Sequence, residues 1–152
     1  MDNQKYEAAV PIIRELLEFV NDGIKGYRTA AEETRDEYLK NLCLRNIDQR
    51  REFALALNAI LVKCGVIPEE SGTVKGALYR QWMDLKASLT DFDDEAIIAS
   101  CLYGEEWTLK AYNDALDSGH LPLEFKSKIR SQGMRVQESY TELKELETLH
   151  HH

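Results

Sequence analysis

The sequence predicts an all-α protein: four long helices packed as a bundle, with one connection much longer than the other two. Three observations predict it. Apolar residues recur at helical spacing along nearly the whole chain. Clusters of β-branched residues with period 2, the mark of strands, are absent. Only three prolines and eight glycines punctuate the 152 residues.

The first helix is expected from about Tyr6 to Ala31, with an apolar stripe of Ile13, Leu17, Val20, Ile24, Tyr27 and Ala31. Pro11 lacks an N–H, so the regular helix either begins near it or is kinked there. Gly23 and Gly26 weaken the middle by about 1 kcal/mol each relative to alanine, and glycines this close often mark tight helix contact. The gap EETR is short enough to force the next helix antiparallel. That second helix runs from about Asp36 to Lys63, and Cys64-Gly65 stops it. Its stripe, Leu39, Leu42, Asn46, Gln49, Phe53, Ala56 and Ile60, carries two amides in its middle.

The stretch VIPEESGTVKGALYRQWMDLKASLTDFDD follows. Pro68 and the ESG cluster read as loop. Ser71 or Thr73 can cap a short helix from about Val74 to Leu89, with Leu78, Trp82, Leu85 and Leu89 on one face. A connection of this size is long enough to travel the length of a bundle. The third long helix is expected from about Asp93 to Asp117. Acidic residues load its first turn, where the helix dipole favours them. Ser118-Gly119 ends it. Pro122 opens the fourth helix, which runs to about Leu146 on a stripe of Phe125, Ile129, Gly133, Val136, Tyr140 and Leu143.

Short, long, short is the connectivity of ferritin-like four-helix bundles. The expected fold is therefore a ferritin-like bundle whose long crossover, between helices 2 and 3, carries a short extra helix. Residues 1–149 make one domain of ordinary size, and His150, His151 and His152 read as the remnant of an expression tag. The halves echo one another faintly: DGIKGYRTAAE and YGEEWTLKAYN share Gly23 with Gly104 and Ala30 with Ala111.

Composition narrows the function classes. The chain has 27 Asp+Glu against 19 Lys+Arg, which disfavours nucleic-acid binding and docking on anionic lipid. No stretch has the length and apolarity of a membrane span, and MDNQKYEAAV lacks the pattern of a signal peptide. Cys43, Cys64 and Cys101 are odd in number and scattered along helical patterns, as expected of small buried hydrophobes kept reduced in a cytoplasm. No glycine-rich phosphate loop, Ser/His/Asp set or Cys–His pair is present, so a catalytic role is not expected. The run TDFDDE lacks the glycine and distant glutamate of a calcium loop and is better read as helix capping.

One residue breaks the apolar logic. On heptad spacing the third helix presents Ile98, Cys101, Glu105, Thr108 and Tyr112. Glu105 falls near mid-helix, at about the depth of Ile24, Gln49 and Tyr140. A carboxylate there must be paired, metal-bound or protonated. Three readings stand. A metal site would draw on Glu52, Glu105 and Glu106, holding iron or manganese through oxygen. A structural polar network would join Glu105 to Asn46, Gln49, Gln137 and Tyr140, or to an arginine such as Arg50. In the third reading the helix is rotated, Glu105 is exposed, and Leu102, Leu109 and Leu116 carry the core. The di-iron template asks for one glutamate on each of two helices and Glu-x-x-His on the others. No Glu-x-x-His occurs here, and the single histidine outside the terminal run, His120, falls in a loop. Substituting Glu105 by Gln discriminates between partners. It should be tolerated beside amides, and should lower the melting temperature by many degrees beside a charged partner.

KGYRTAAEET, the QRREF of the second helix and SGTVKGALYRQWMDLKASLT resemble an uncharacterised bacterial family of ferritin-like four-helix bundles, catalogued as a domain of unknown function. The resemblance runs from about Ile12 to Leu146 and implies a fold similar to rubrerythrin-type proteins. It also implies a glutamate after the glycine of the first helix and a histidine in the fourth, where this chain has Ile24 and Tyr140. The expectation is a non-enzymatic structural or interaction protein with a degenerate di-iron site, stress-associated by analogy, carrying no cofactor, and a homodimer through an apolar helix face. The alternative is a divergent iron- or manganese-binding protein using Glu52 and Glu105. Trp82 and Met83 are expected to pack on the bundle rather than to mark a partner surface.

Overall fold

The computed structural model describes residues 6–67, 79, 80, 83, 84 and 93–150. Among them lie four long helices and no strand: Ala9–Glu33 (α1), Glu37–Lys63 (α2), Asp94–Asp117 (α3) and Leu123–His150 (α4). No helix among the described residues is long and apolar enough to cross a membrane. Tyr79, Arg80, Met83 and Asp84 are helical. The rest of the short helix expected over 74–89, Trp82 included, lies outside the described residues.

The helix ends follow local chemistry. Pro11 sits in the first turn of α1, where its missing N–H would have had no helical partner. Asp36 caps α2, its carboxylate accepting from the N–H groups of Tyr38 and Leu39 at 2.8 and 3.2 Å. Asp93 caps α3 through the Ala96 N–H at 2.8 Å, so the acidic run does serve as a cap. Neighbouring Asp94 accepts from the Thr34 hydroxyl and the Arg35 N–H at 2.6 and 3.1 Å, tying the α1–α2 corner to the start of α3. At the far end of α2, Gly65 takes φ +85°. There its N–H reaches Val62 O and the Val66 N–H reaches Leu61 O, both at 2.9 Å. These two bonds form a Schellman stop, with Val66 packed on the core beside Leu61. α4 runs beyond the expected Leu146 to His150, whose Nε2 lies 2.9 Å from Asp36 Oδ2.

Two apolar clusters set the directions. One holds Ile13, Leu57, Tyr112 and Ile129; the other holds Tyr27, Leu42, Ile98 and Leu143. The start of α1, the end of α2, the end of α3 and the start of α4 therefore share one end. Helices α1 and α2 pack side by side, as do α3 and α4, α1 and α3, and most loosely α2 and α4. The parallel pairs α2/α3 and α1/α4 are left as the diagonals. Lys63 and Asp94 thus stand at opposite ends of the bundle. Met83 packs against the second cluster, as expected. The Tyr79 N–H donates to the buried Asp22 carboxylate of α1 at 3.4 Å, and the Tyr79 and Thr29 hydroxyls are 3.2 Å apart.

All four helices bury a strict alternation of three- and four-residue steps: 9, 13, 16, 20, 23, 27 and 30 in α1; 39, 43, 46, 50, 53, 57 and 60 in α2; 98, 101, 105, 108, 112 and 115 in α3; 125, 129, 132, 136, 139, 143 and 146 in α4. This is the seam of coiled-coil-like packing. It corrects the expected stripes by one residue wherever they passed over a polar or small side chain. Gly23 replaces half-buried Ile24, Arg50 replaces Gln49, Gln132 replaces Gly133, and Ser139 replaces Tyr140.

A Cβ added at Gly65 would meet nothing within 4 Å, so only backbone conformation opposes a side chain there. Gly65→Ala should lower stability by about 1 kcal/mol through the left-handed conformation alone. An unchanged urea midpoint would show that the stop of α2 does not need the glycine.

Candidate functional site

The mid-bundle carboxylate has a charged partner. Arg50 Nη1 donates to Glu105 Oε1 at 2.8 Å and Nη2 to Oε2 at 2.7 Å. Arg50 is 0% and Glu105 1% exposed. The pair joins α2 to α3 across the bundle's diagonal, where the backbones are farthest apart. Only a side chain of arginine's length crosses that gap with a flat fork that matches a carboxylate.

The surroundings make room for the fork and hold it. On α1, Gly23 offers no side chain, and Arg50 Nη1 lies 3.6 Å from where a Cβ would stand. The guanidinium carbon sits 5.6 Å from the centre of the Tyr27 ring and 5.7 Å from that of Phe53, within range of cation–π attraction. Arg50 Nε donates to Gln49 Oε1 at 3.1 Å. Burial works against the guanidinium, but the Glu105 charge and its hydrogen bonds outweigh it and hold Arg50 more firmly protonated than usual. Burial pushes the Tyr27 phenol well up, and the Glu105 charge adds to that. Burial likewise raises the Cys101 thiol, which lies beside Cys43 next to the pair.

Two further polar contacts lie above and below. The Tyr112 hydroxyl donates to Gln132 Oε1 at 2.6 Å, and Gln132 Nε2 donates to the Phe53 carbonyl at 3.5 Å. The Ser139 hydroxyl donates to Asn46 Oδ1 at 3.2 Å, while Asn46 Nδ2 is buried with no partner among the described residues. Beside Asn46 a polar cleft of about 350 Å³ opens between α2 and α4, lined by Arg45, Gln49, Glu52, Arg135 and Glu142 among others.

The expected site residues separate. Glu105 is buried, which removes the rotated-helix reading. Glu52 and Glu106 are exposed and do not converge on it. Among the described residues no three His, Cys, Asp or Glu side chains come together as a metal cluster. Asn46 and Gln49 belong to the polar surroundings but do not touch Glu105. Gln137 is exposed and donates to Thr141 Oγ1 at 3.5 Å. The Tyr140 hydroxyl donates to Glu106 at 3.4 Å, near the surface. His120 is exposed in the α3–α4 loop. Gln132, Ser139 and Asp22 are buried polar residues that the stripe analysis missed. A strict three-four step counted back from Leu143 would have exposed the first two.

A buried guanidinium without its carboxylate is an uncompensated charge, so removing one partner costs about 3–5 kcal/mol. Glu105→Gln should therefore lower the melting temperature by roughly 10 °C in a domain of this size. Replacing both partners with apolar residues of similar volume (Arg50→Met with Glu105→Leu) should recover most of that loss. A double variant as unstable as the single one would refute the pair as the source. The raised phenol and thiol give a second expectation. Their folded forms resist ionisation, so their contribution is complete below the unfolded values and falls as pH rises. Stability should decline from about pH 8.5 upward, by about 1.4 kcal/mol per pH unit for each group held protonated. Tyr27→Phe should flatten that decline above about pH 10, which thermal melts between pH 8 and 11 would record.

No curated protein and no solved structure matches the chain. Residues 8–118, from the start of α1 through α3 and including both Arg50 and Glu105, match the family described as Domain of unknown function (DUF2383). With most of its length matched, the chain belongs to that family.

Proposed function

We propose that the protein is a non-enzymatic, ferritin-like bundle with a structural or interaction role, in which an internal ion pair stands where related architectures hold metal. Three features of the fold support the ferritin-like reading. Lys63 and Asp94 lie at opposite ends, α2 runs parallel to α3, and Tyr79 and Met83 touch the bundle between those ends.

The observation that carries the functional reading is the two-pronged Arg50–Glu105 contact. Both carboxylate oxygens already accept from a guanidinium. A metal ion at Glu105 would have to displace that fork and tolerate a fixed positive charge beside it. Besides the buried thiols of Cys43 and Cys101, which do not join Glu105 in a three-ligand metal cluster among the described residues, the neighbouring polar groups, Gln49, Asn46, Ser139 and Gln132, are amides and a hydroxyl. Such neutral oxygens are weak companions for iron or manganese, which want several carboxylates or imidazoles. The residues present do not fit a di-iron centre.

Metal analysis of protein freed of its terminal histidines decides the matter. We expect iron and manganese well below one equivalent, and a melting temperature indifferent to added metal or chelator. One equivalent of either metal, lost on substituting the exposed Glu52 by Gln, would reverse the reading in favour of a metal protein.

A further inference from the structure

A groove of about 590 Å³ runs between α1 and α2, lined by Asn21, Ile24, Lys25, Arg28, Arg51, Ala54, Leu55 and Asn58. It is separate from the mid-bundle pair. Three of its residues are cations and none is acidic, in a chain whose formal net charge is −8. Lys25 and Arg28 carry no ion pair among the described residues, and Arg51 has only an exposed approach to Asp48 at 3.9 Å. The charges are unevenly placed. Lys25, Arg28 and Arg51 occupy the end nearer the α1–α2 loop, while Ala54, Leu55 and Asn58 lie further along α2. Leu55 is 72% exposed. At the far end Asn58 Oδ1 is buried and accepts no hydrogen bond among the described residues.

Cationic at one end and apolar toward the other, the groove has the order of an extended amphiphile. Arg28, without an ion pair among the described residues, and Arg51, only loosely approached by Asp48, offer planar forks suited to a carboxylate head. The apolar stretch of Ile24, Ala54 and the exposed Leu55 takes methylenes, whose burial is favourable. From Arg51 to Asn58 is seven residues of helix, about 10 Å of rise, the span of a chain of about eight carbons. We propose that this groove binds an amphipathic monocarboxylate, head on Lys25, Arg28 and Arg51, chain along Ile24, Ala54 and Leu55.

Calorimetric titration of the full chain tests this with three probes: octanoate, acetate and octanol. Octanoate should bind one to one and saturably. Acetate and octanol at equal concentration should bind at least tenfold more weakly. Joint substitution of the exposed Arg28→Gln and Arg51→Gln should weaken octanoate tenfold or more with helicity unchanged. Octanol binding as tightly as octanoate, or indifference to the double substitution, would overturn the proposal in favour of unspecific apolar adsorption. So would a dimer in light scattering that Leu55→Asp dissolves, since a second copy would then own the groove.

Discussion

The contact on which the rest of this structure depends is the guanidinium–carboxylate fork between Arg50 and Glu105. Removing two charges from water is expensive, and attraction inside the bundle repays it only with good geometry and satisfied hydrogen bonds. Both conditions are met here. Two short parallel bonds join the charges, Gln49 takes a third donor, and the rings of Tyr27 and Phe53 flank the cation. What such a pair contributes beyond its narrow net energy is specificity. It has one partner at one depth, so sliding α2 against α3 by a turn would part the two charges and leave each buried without its partner.

That constraint acts across the diagonal, where apolar packing is weakest. Adjacent helices hold one another through interdigitating side chains. Helices α2 and α3 have little direct backbone proximity. The fork therefore couples the α1–α2 hairpin to the α3–α4 hairpin. Gly23 of α1 borders the same contact, Arg50 Nη1 lying 3.6 Å from where a Cβ would stand. The other polar contacts serve the sides: Tyr112 with Gln132 between α3 and α4, Ser139 with Asn46 between α2 and α4. The α2–α4 side is the loosest of the four, and there the polar cleft opens and Asn46 keeps an unmet donor.

The helices and their ends were legible in the sequence because local chemistry writes them. The Asp36 and Asp93 caps, the Cys64-Gly65 stop and the short EETR corner all act within a few residues. The phase of each seam was harder to read. A stripe chosen for apolar side chains drifts off any seam that contains Arg50, Gln132 or Ser139, and lands on Gln49, Gly133 and Tyr140. Glu105 was legible as a buried anomaly because its neighbours at three- and four-residue steps, Cys101, Thr108 and Tyr112, have small or apolar bodies. Its partner was not, since the match between residues 50 and 105 depends on which helices stand diagonally, and that follows from tertiary arrangement rather than from spacing within a helix. Arg50 could only be one candidate among several polar residues of similar depth.

A carboxylate fixed at the middle of a four-helix bundle is costly to bury unless it is paired or hydrogen-bonded. A metal ion can supply the partner charge from solution, and then the site has open positions, exchangeable ligands and the reactivity that follows. Arginine supplies it covalently. Its charge does not titrate in the working range and cannot leave. Its donors are directional, so the carboxylate is not only neutralised but oriented. On the proposed reading, this chain holds at its centre the electrostatic half of a metal site without the chemical half. On that reading, what remains at mid-bundle holds the helices in register.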